Sequence, residues 1–418
     1  MTRPLRILVV APYPASPATF GAQRRVEGLM RALGQENELS FVGLASDLFD
    51  RTRAEEAMRT YCAEVELVPL PEGTGLRKRL AQLQSLASLA SYERITLNTP
   101  ALQEAIDRRL LRQPHDAVLI ETPFLAYSRF RLAPARAPRP RLVVDAHNVE
   151  FDLARQYGEK SSGLARKLYH AANWRKLRRE EIHAWRTADG VAFTSPDDEA
   201  RARAILPSLR ACVVPNGVDT ERFSPGEAPR DGRARTVVFF GTMNYFPNLD
   251  AVRWLLREIW PIVARSRPDL RLKIIGSHPT PDVLAHAGPR VEIAGLVDDL
   301  QRHLDEAMAI VVPLRIGGGT RLKILESLAM GKAIVSTRLG AEGIAVHDGE
   351  SILLADEPTS IAEGLVRLAD DPALAARLGA NGRTLAESLY SWPAIGQALE
   401  GFLRELVERE PGARATAA

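Results

Sequence analysis

The sequence predicts an α/β protein built from two doubly wound halves, each a parallel sheet flanked by helices. Three observations predict it. Short β-branched runs alternate with stretches of helical apolar spacing along nearly the whole chain. The alternation is interrupted once, by a Pro-, Gly- and charge-rich stretch at 224–235 that reads as a linker, and then resumes. The length of 418 residues exceeds what one hydrophobic core usually organises.

The first half opens with a strand at 6–11, a Pro/Ser/Gly loop and a helix at 22–33. Strand-like runs recur at 39–44, 65–70, 117–120, 142–144, 191–194 and 212–214, with helical stretches in most of the gaps. The second half repeats the pattern at 236–240, 271–275, 291–294, 309–312, 333–337 and 351–354. The tail at 371–407 is almost all helix, broken near Trp392-Pro393, and 410–418 reads as frayed. These divisions give a first domain at 1–213, a second at 214–390 and a terminal helix at 391–418. No short-period repeat of the solenoid kind is present.

Composition narrows the class. Hydrophobic content of 45% and charged content of 26% exclude disordered and fibrous chains. A formal net charge of +3 is too small at this length to argue for wrapping a nucleic acid. Cys62 and Cys212 share no metal or redox spacing, which fits a reducing compartment. The apolar run at 7–11 is too short for a signal peptide, and no segment reaches the roughly 20 apolar residues of a membrane span. The expectation is a cytoplasmic enzyme, not integral to a membrane.

The most informative segment is 313–331, PLRIGGGTRLKILESLAMG, in which an apolar strand ends in glycines and a helix follows at once. Ligands of open α/β sheets bind at such strand ends. Gly317, Gly318 and Gly319 let backbone amides approach a ligand, Thr320 is placed to cap the helix, and amides so arranged form an anion nest. Arg321 and Lys323 fall in the first turn, where the helix dipole disfavours cations by roughly 0.3–1 kcal/mol each. A bound anion reverses that sign. A diphosphate would be held by the amides, the forked guanidinium of Arg321 and the point charge of Lys323. Glu326, one turn on, is placed to accept from ribose hydroxyls. A tight turn with solvated charges is the plainer alternative, and for three glycines alone it is the better one; the added residues favour the anion site. The spacing does not fit the GxxxxGK[ST] phosphate loop.

At these residues the chain resembles the retaining glycosyltransferases of the GT-B fold, the group 1 or family 4 type that includes bacterial mannosyltransferases and sucrose synthases. The resemblance covers nearly the whole chain. Its supporting pieces are VVDAHNVE at 143–150, VPNGVD at 214–219, FGTMNYFPN at 240–248, GLVDDL at 295–300 and the glycine segment at 317–331. It implies two Rossmann-like domains facing each other across a cleft, the second binding the donor nucleotide and the first the acceptor, with the final helix returning to the first domain. It assigns Glu326 to the ribose and Arg321 and Lys323 to the diphosphate. It places His147 against the donor sugar, where a lone histidine would otherwise read as structural. Gly241, Asn244, Gly276, Leu296, Val297 and Leu322 complete the donor side, the base being read by backbone groups near Gly276 and Gly295 to Val297. Gly21, Asn148 and Asn216 belong to the acceptor side or hinge, although Gly21 also reads as a turn glycine and Asn216 as part of an Asn-Gly turn. Glu150 reads equally as a cap, a pairing partner or an acting group.

Two departures from the family stand out. Many relatives carry a glutamate where this chain has Gly318, so sugar recognition through that carboxylate is absent. Many also carry an Arg and a Lys soon after the first strand of the second domain, where this chain has Gly241-Thr242-Met243-Asn244-Tyr245. Phosphate charge must then come from Arg321 and Lys323. The resemblance implies sugar transfer from a nucleotide-diphosphate donor with retention of anomeric configuration, a phosphate oxygen of the leaving group taking the acceptor's proton. No Asp-x-Asp element lies beside a donor loop, and Asp197-Asp198 and Asp298-Asp299 read as helix caps, so neither metal nor other cofactor is expected. The acceptor is a glycan, a lipid-linked sugar or a small molecule.

Cations at 155–186, including Arg166, Lys167, Arg175, Lys176, Arg178 and Arg179, are interleaved with Tyr169, Trp174 and Trp185. Arg77-Lys78-Arg79 opens a similar stretch at 76–89. Both read either as peripheral contact with an anionic membrane or as solvated helix faces. Three other readings compete: a nucleotide-sugar 2-epimerase, a non-catalytic sugar-nucleotide-binding subunit, and a Rossmann dehydrogenase. An epimerase needs several acid/base carboxylates in the cleft, and the motif set argues against it. The retained Arg321, Lys323, Glu326 and His147 weigh against the subunit. The dehydrogenase is disfavoured because 9–21 holds no GxGxxG loop.

Overall fold

Near-continuous runs of branched apolar residues form the strands, because helices cover both faces of each sheet and leave no solvent side. The computed structural model describes residues 3–47, 49–70, 75–130, 132–135, 137–160, 164–226, 235–317 and 321–409. The chain divides into two compact units, Met1–Pro215 with Pro393–Ala418, and Asn216–Trp392.

In the first unit the strands are β1 (Arg6–Ala11), β2 (Glu38–Ala45), β3 (Glu64–Pro69), β4 (Ala117–Ile120), β5 (Arg141–Ala146), β6 (Gly190–Phe193) and β7 (Ala211–Val213). They pair in parallel throughout, in the order β3-β2-β1-β4-β5-β6-β7. The chain winds outward from β1 to β3, then returns to lay β4 on the other side of β1. That reversal leaves a crevice at the carboxyl ends of β1 and β4. The last helix, Trp392–Glu408, buries Leu399, Phe402, Leu403 and Leu406, and its close approach is made at two glycines. A side chain on Gly396 would run into Ala32, and one on Gly190 into Leu406 and Phe402.

The second unit repeats the design with β8 (Thr236–Phe240), β9 (Arg271–Ile275), β10 (Val291–Gly295), β11 (Ala309–Val312), β12 (Ile334–Ser336) and β13 (Leu353–Leu354). All are parallel, in the order β10-β9-β8-β11-β12-β13, so the reversal falls between β8 and β11. Both units are thus doubly wound, as the alternating pattern predicts. The strand expected at 351–354 is shorter. Ser351 and Ile352 are spent closing a turn, in which the Gly349 amide donates to the Ile352 carbonyl and the Ser351 hydroxyl accepts from the His347 amide. Most of the expected linker, 227–234, lies outside the described residues. Among the described residues no helix is long and apolar enough to cross a membrane.

Candidate active site

In the second unit the loops after β8, β9 and β10 are laced together at the strand ends. The Gly241 amide donates to the Ile275 carbonyl at 2.9 Å, and the Gly276 amide to the Gly295 carbonyl at 2.7 Å. Gly276 is a glycine because a side chain there would occupy the Gly241 carbonyl. Thr242 and Ser277 share a hydroxyl contact of 2.8 Å, and Thr242 also donates to the Asn244 amide oxygen at 2.7 Å.

Against this platform lies the start of the helix Leu322–Ala329, which follows β11. A Cβ on Gly241 would stand 2.9 Å from Lys323 Nζ, so the bare backbone is what lets the ammonium in. Lys323 Nζ donates to Asn248 Oδ1 at 2.7 Å and sits 4.5 Å from the centre of the Phe239 ring. Burial pushes the ammonium down to about 7, the charge of Glu326 opposing the shift and that of Arg321 adding to it. Asn248 is itself buried and donates to the Thr242 carbonyl at 2.9 Å, so one amide ties the cation to the β8 loop. Arg321 is buried, donates to the Leu339 carbonyl at 3.2 Å and lies 3.6 Å from Glu342. Its guanidinium also packs on Gly317, where a Cβ would come within 3.1 Å. Glu326 is buried in the same helix. The donor-side residues Gly241, Gly276, Gly317, Arg321, Lys323 and Glu326 therefore gather at one corner, and Asn248, unassigned from sequence, joins them.

Not every expectation holds there. The capping position of this helix is Arg321, without a side-chain cap, so the helix starts one residue later than a Thr320 cap implies and Lys323 is its second residue. Gly318, Gly319 and Thr320 lie outside the described residues. Leu296 is 80% exposed, whereas Val297 and Leu322 pack on the core. Asn216 is buried. The glycine beside it is required by the Trp392 ring, which occupies the space of a side chain, and not by a turn of positive φ.

The first unit carries a second polar cluster at its own strand ends. Glu121 follows β4, Asp145 and His147 lie at the end of β5, and Arg25 projects from the helix Gly21–Leu33. Arg25 grips both oxygens of Asp145, Nε at 2.8 Å and one terminal nitrogen at 2.6 Å, and its other nitrogen donates to the Pro215 carbonyl at 3.0 Å. His147 Nε2 stands 3.0 Å from Glu121 and 3.3 Å from Asp145. Burial works against charge on the imidazole, but its bonds to Asp145 and Glu121 outweigh this and raise it to about 9. Burial, then the charge of Asp145, raises the Glu121 carboxyl. Asp145 stays below the usual carboxylate range because Arg25 and His147 overcome its burial.

Glu121, Asp145 and His147 are the one set among the described residues with side-chain atoms close enough to share an ion, within 4.8 Å of one another. Arg25 already occupies both Asp145 oxygens, and its guanidinium opposes a further cation. The set is a hydrogen-bonded charge network. Sequence reasoning singled out His147 alone; the available signals for its neighbours were a carboxylate just past an apolar strand and an arginine on the apolar stripe of a helix.

The remaining first-unit residues have local duties. Asn148 donates to Glu150 at 3.2 Å, so Glu150 pairs. The amides of Glu150 and Phe151, which open the helix Glu150–Lys160, are taken by the buried carboxylate of Glu181 at 3.1 and 3.0 Å. Gly21 is exposed at the start of its helix. Asp299 caps the helix Leu300–Asp305, and Asp198 lies in the first turn of the helix Pro196–Ile205, whose cap is Ser195. Trp185 is buried in the core, and Lys176 and Arg179 donate to the carbonyls of Ser85 and Leu89. The side chains of Arg166 and Lys167 lie outside the described residues.

Comparison with known proteins matches residues 20–217 to the Glycosyl transferase 4-like domain family and residues 234–371 to the Glycosyl transferases group 1 family. An uncharacterized 44.6 kDa protein of the cps region of Klebsiella pneumoniae is 24% identical over 380 residues, 86% of this chain and 90% of that protein. The MMP alpha-(1->4)-mannosyltransferase of Mycolicibacterium hassiacum is 32% identical over 217 residues, about half of each chain (49% and 50%). Among solved structures, Anabaena Alr3699/HepE in complex with UDP and glucose has a TM-score of 0.66 at 15% identity, covering 96% of this chain and 99% of that one. At that identity the likeness is one of fold.

Proposed function

Because the chain belongs to the GT-B glycosyltransferases, we propose that it moves a sugar from a nucleotide-diphosphate donor to a glycan, lipid-linked or small-molecule acceptor with retention of anomeric configuration. The observation that carries this reading is the corner where Lys323 and Arg321 meet the side-chain-free backbone of Gly241 and Gly317. A helix start that places two cations around bare backbone suits an anion of two phosphates.

The chemistry follows from that charge. As the anomeric bond breaks, negative charge grows on the leaving diphosphate, and cations already in place stabilise it without reorganising. A non-bridging phosphate oxygen then takes the proton of the acceptor hydroxyl attacking on the same face. Glu326 receives the ribose hydroxyls and His147 contacts the sugar. This route uses no protein nucleophile and no divalent ion, so turnover persists in chelator.

Screening UDP-, GDP-, ADP- and dTDP-sugars by thermal shift and then by nucleotide release tests the reading. Arg321→Ala or Lys323→Ala weakens nucleoside-diphosphate binding by about 10- to 100-fold, the loss of a charge-assisted hydrogen bond. Unchanged affinity in both variants removes the proposed site. Stabilisation by a donor without turnover on any acceptor favours the non-catalytic subunit instead.

A further inference from the structure

In the first unit, Glu121 has no structural duty that its burial explains. Its side chain is fully buried, His147 is the one partner of its carboxylate among the described residues, and its Oε1 atom has none. An unpaired buried carboxylate oxygen is costly, and a chain selected for stability alone would place an apolar residue at the end of β4. We propose that Glu121 is a positioning residue of the transfer reaction, clasping His147 through Nε2 so that Nδ1–H is presented as a hydrogen-bond donor to an oxygen of the bound nucleotide sugar. This rests on the transferase reading above.

Charge counting supports it. Arg25 and Asp145 cancel each other inside the cluster. Glu121 and His147 are then neutral together in two ways: both ionised, or with the proton moved to the carboxylate. Nε2 faces carboxylates in either state, and a proton passed to Glu121 leaves from Nε2. Only the ionised state puts a hydrogen on both ring nitrogens, so that Nε2–H holds Glu121 while Nδ1–H, at the ring atom that makes no hydrogen bond to the described residues, is free to donate. His147 is raised to about 9 by its carboxylate partners, whereas burial and the charge of Asp145 raise Glu121 to about 7, so the two shifts compete and the ring keeps the proton at neutral pH.

The other titratable groups around this cluster do not displace this balance. Tyr13, after β1, stays protonated because burial and the charges of Glu121 and Asp145 raise its phenol. Glu150, at the start of its helix, is raised by burial and paired with Asn148. Arg25 is held by Asp145.

The test is the titration of His147 by NMR in the full chain with labelled histidine, the resonance being assigned by its loss in His147→Ala. In the wild type the ring stays charged past pH 8. Glu121→Gln keeps the shape and removes the charge: the titration moves down by a pH unit or more, the alkaline limb of kcat/KM moves with it, and kcat/KM at pH 8 falls about tenfold. Binding of the nucleoside diphosphate without its sugar does not change, an outcome that mere structural damage would not give. An ordinary histidine titration in the wild type overturns the proposal without any variant, as does a Glu121→Gln chain in which titration and pH profile both stay put. If the wild type neither binds nor turns over any nucleotide sugar, the transferase reading fails and takes this role with it, whatever the NMR shows.

Discussion

Burial holds Lys323 at the edge between its cationic and neutral forms at neutral pH. Its folded value near 7 lies below the ordinary lysine range, so between about pH 7 and 10.5 the unfolded chain binds more protons than the folded one, and this group's contribution to stability rises with pH across that window. On the proposed function a bound diphosphate favours the charged form, so binding at pH 8 is expected to take up a proton and affinity to fall as pH climbs above 7. Calorimetry in two buffers of different ionisation enthalpy measures the uptake; equal heats in both would show that the lysine was charged all along. Asn248 holds the ammonium and the Thr242 carbonyl at once. Asn248→Ala therefore weakens nucleotide binding by about fivefold, the worth of a net hydrogen bond, in the same titration. The charged and glycine residues of this corner are legible because they lie in short contiguous segments. Asn248 was not, because its partner lies 75 positions away. The same holds for Arg25, whose carboxylate partner is 120 positions distant.

Among the elements, the helix Gly75–Ala87 shows how far periodicity carries an argument and where it stops. Leu80, Leu83 and Leu86, with Leu89 just beyond, are each more than half exposed, an apolar stripe without cover among the described residues. Lys176 and Arg179 of the helix Leu164–Thr187 reach the carbonyls of Ser85 and Leu89, and Arg175, Arg178 and Arg179 are exposed. No acidic residue occurs at 75–92 or 164–179. Leucines beside exposed arginines carry the proposal of contact with an anionic bilayer, where insertion and charge act together. The expected result is co-sedimentation with anionic vesicles at low salt, reduced by Leu83→Gln with Leu86→Gln; a chain left wholly in the supernatant ends the idea. From sequence, Trp185 belonged to the same basic, aromatic face. Packing puts it in the core instead, against Phe151 and Phe193.

At the scale of the molecule, the two units differ in how the chain builds them. Asn216–Trp392 is one continuous segment, whereas the first unit needs the returning residues 393–418. Ending the chain after Trp392 removes Leu399, Phe402, Leu403 and Leu406 from that core. Burying side chains of this kind is worth roughly 1.5–3 kcal/mol each, comparable in sum with the whole stability of a domain. Hydrogen exchange on the shortened chain should show protection lost across 1–215 and kept across 216–392. Uniform loss in both, or in neither, contradicts the division.

What the sequence determined by itself was whatever local rules decide: the strands, set by apolar runs that must be covered on both faces; the two doubly wound halves; and the glycine-to-helix turn with its cations. Strand order, the gathering of the β8, β9 and β10 loops under Lys323, and the union of Arg25, Glu121, Asp145 and His147 were decided only by the tertiary structure. The reason is physical. A charge is tuned by the groups within a few ångströms of it, and those groups arrive from strands and helices whose separation along the chain carries no record of their meeting.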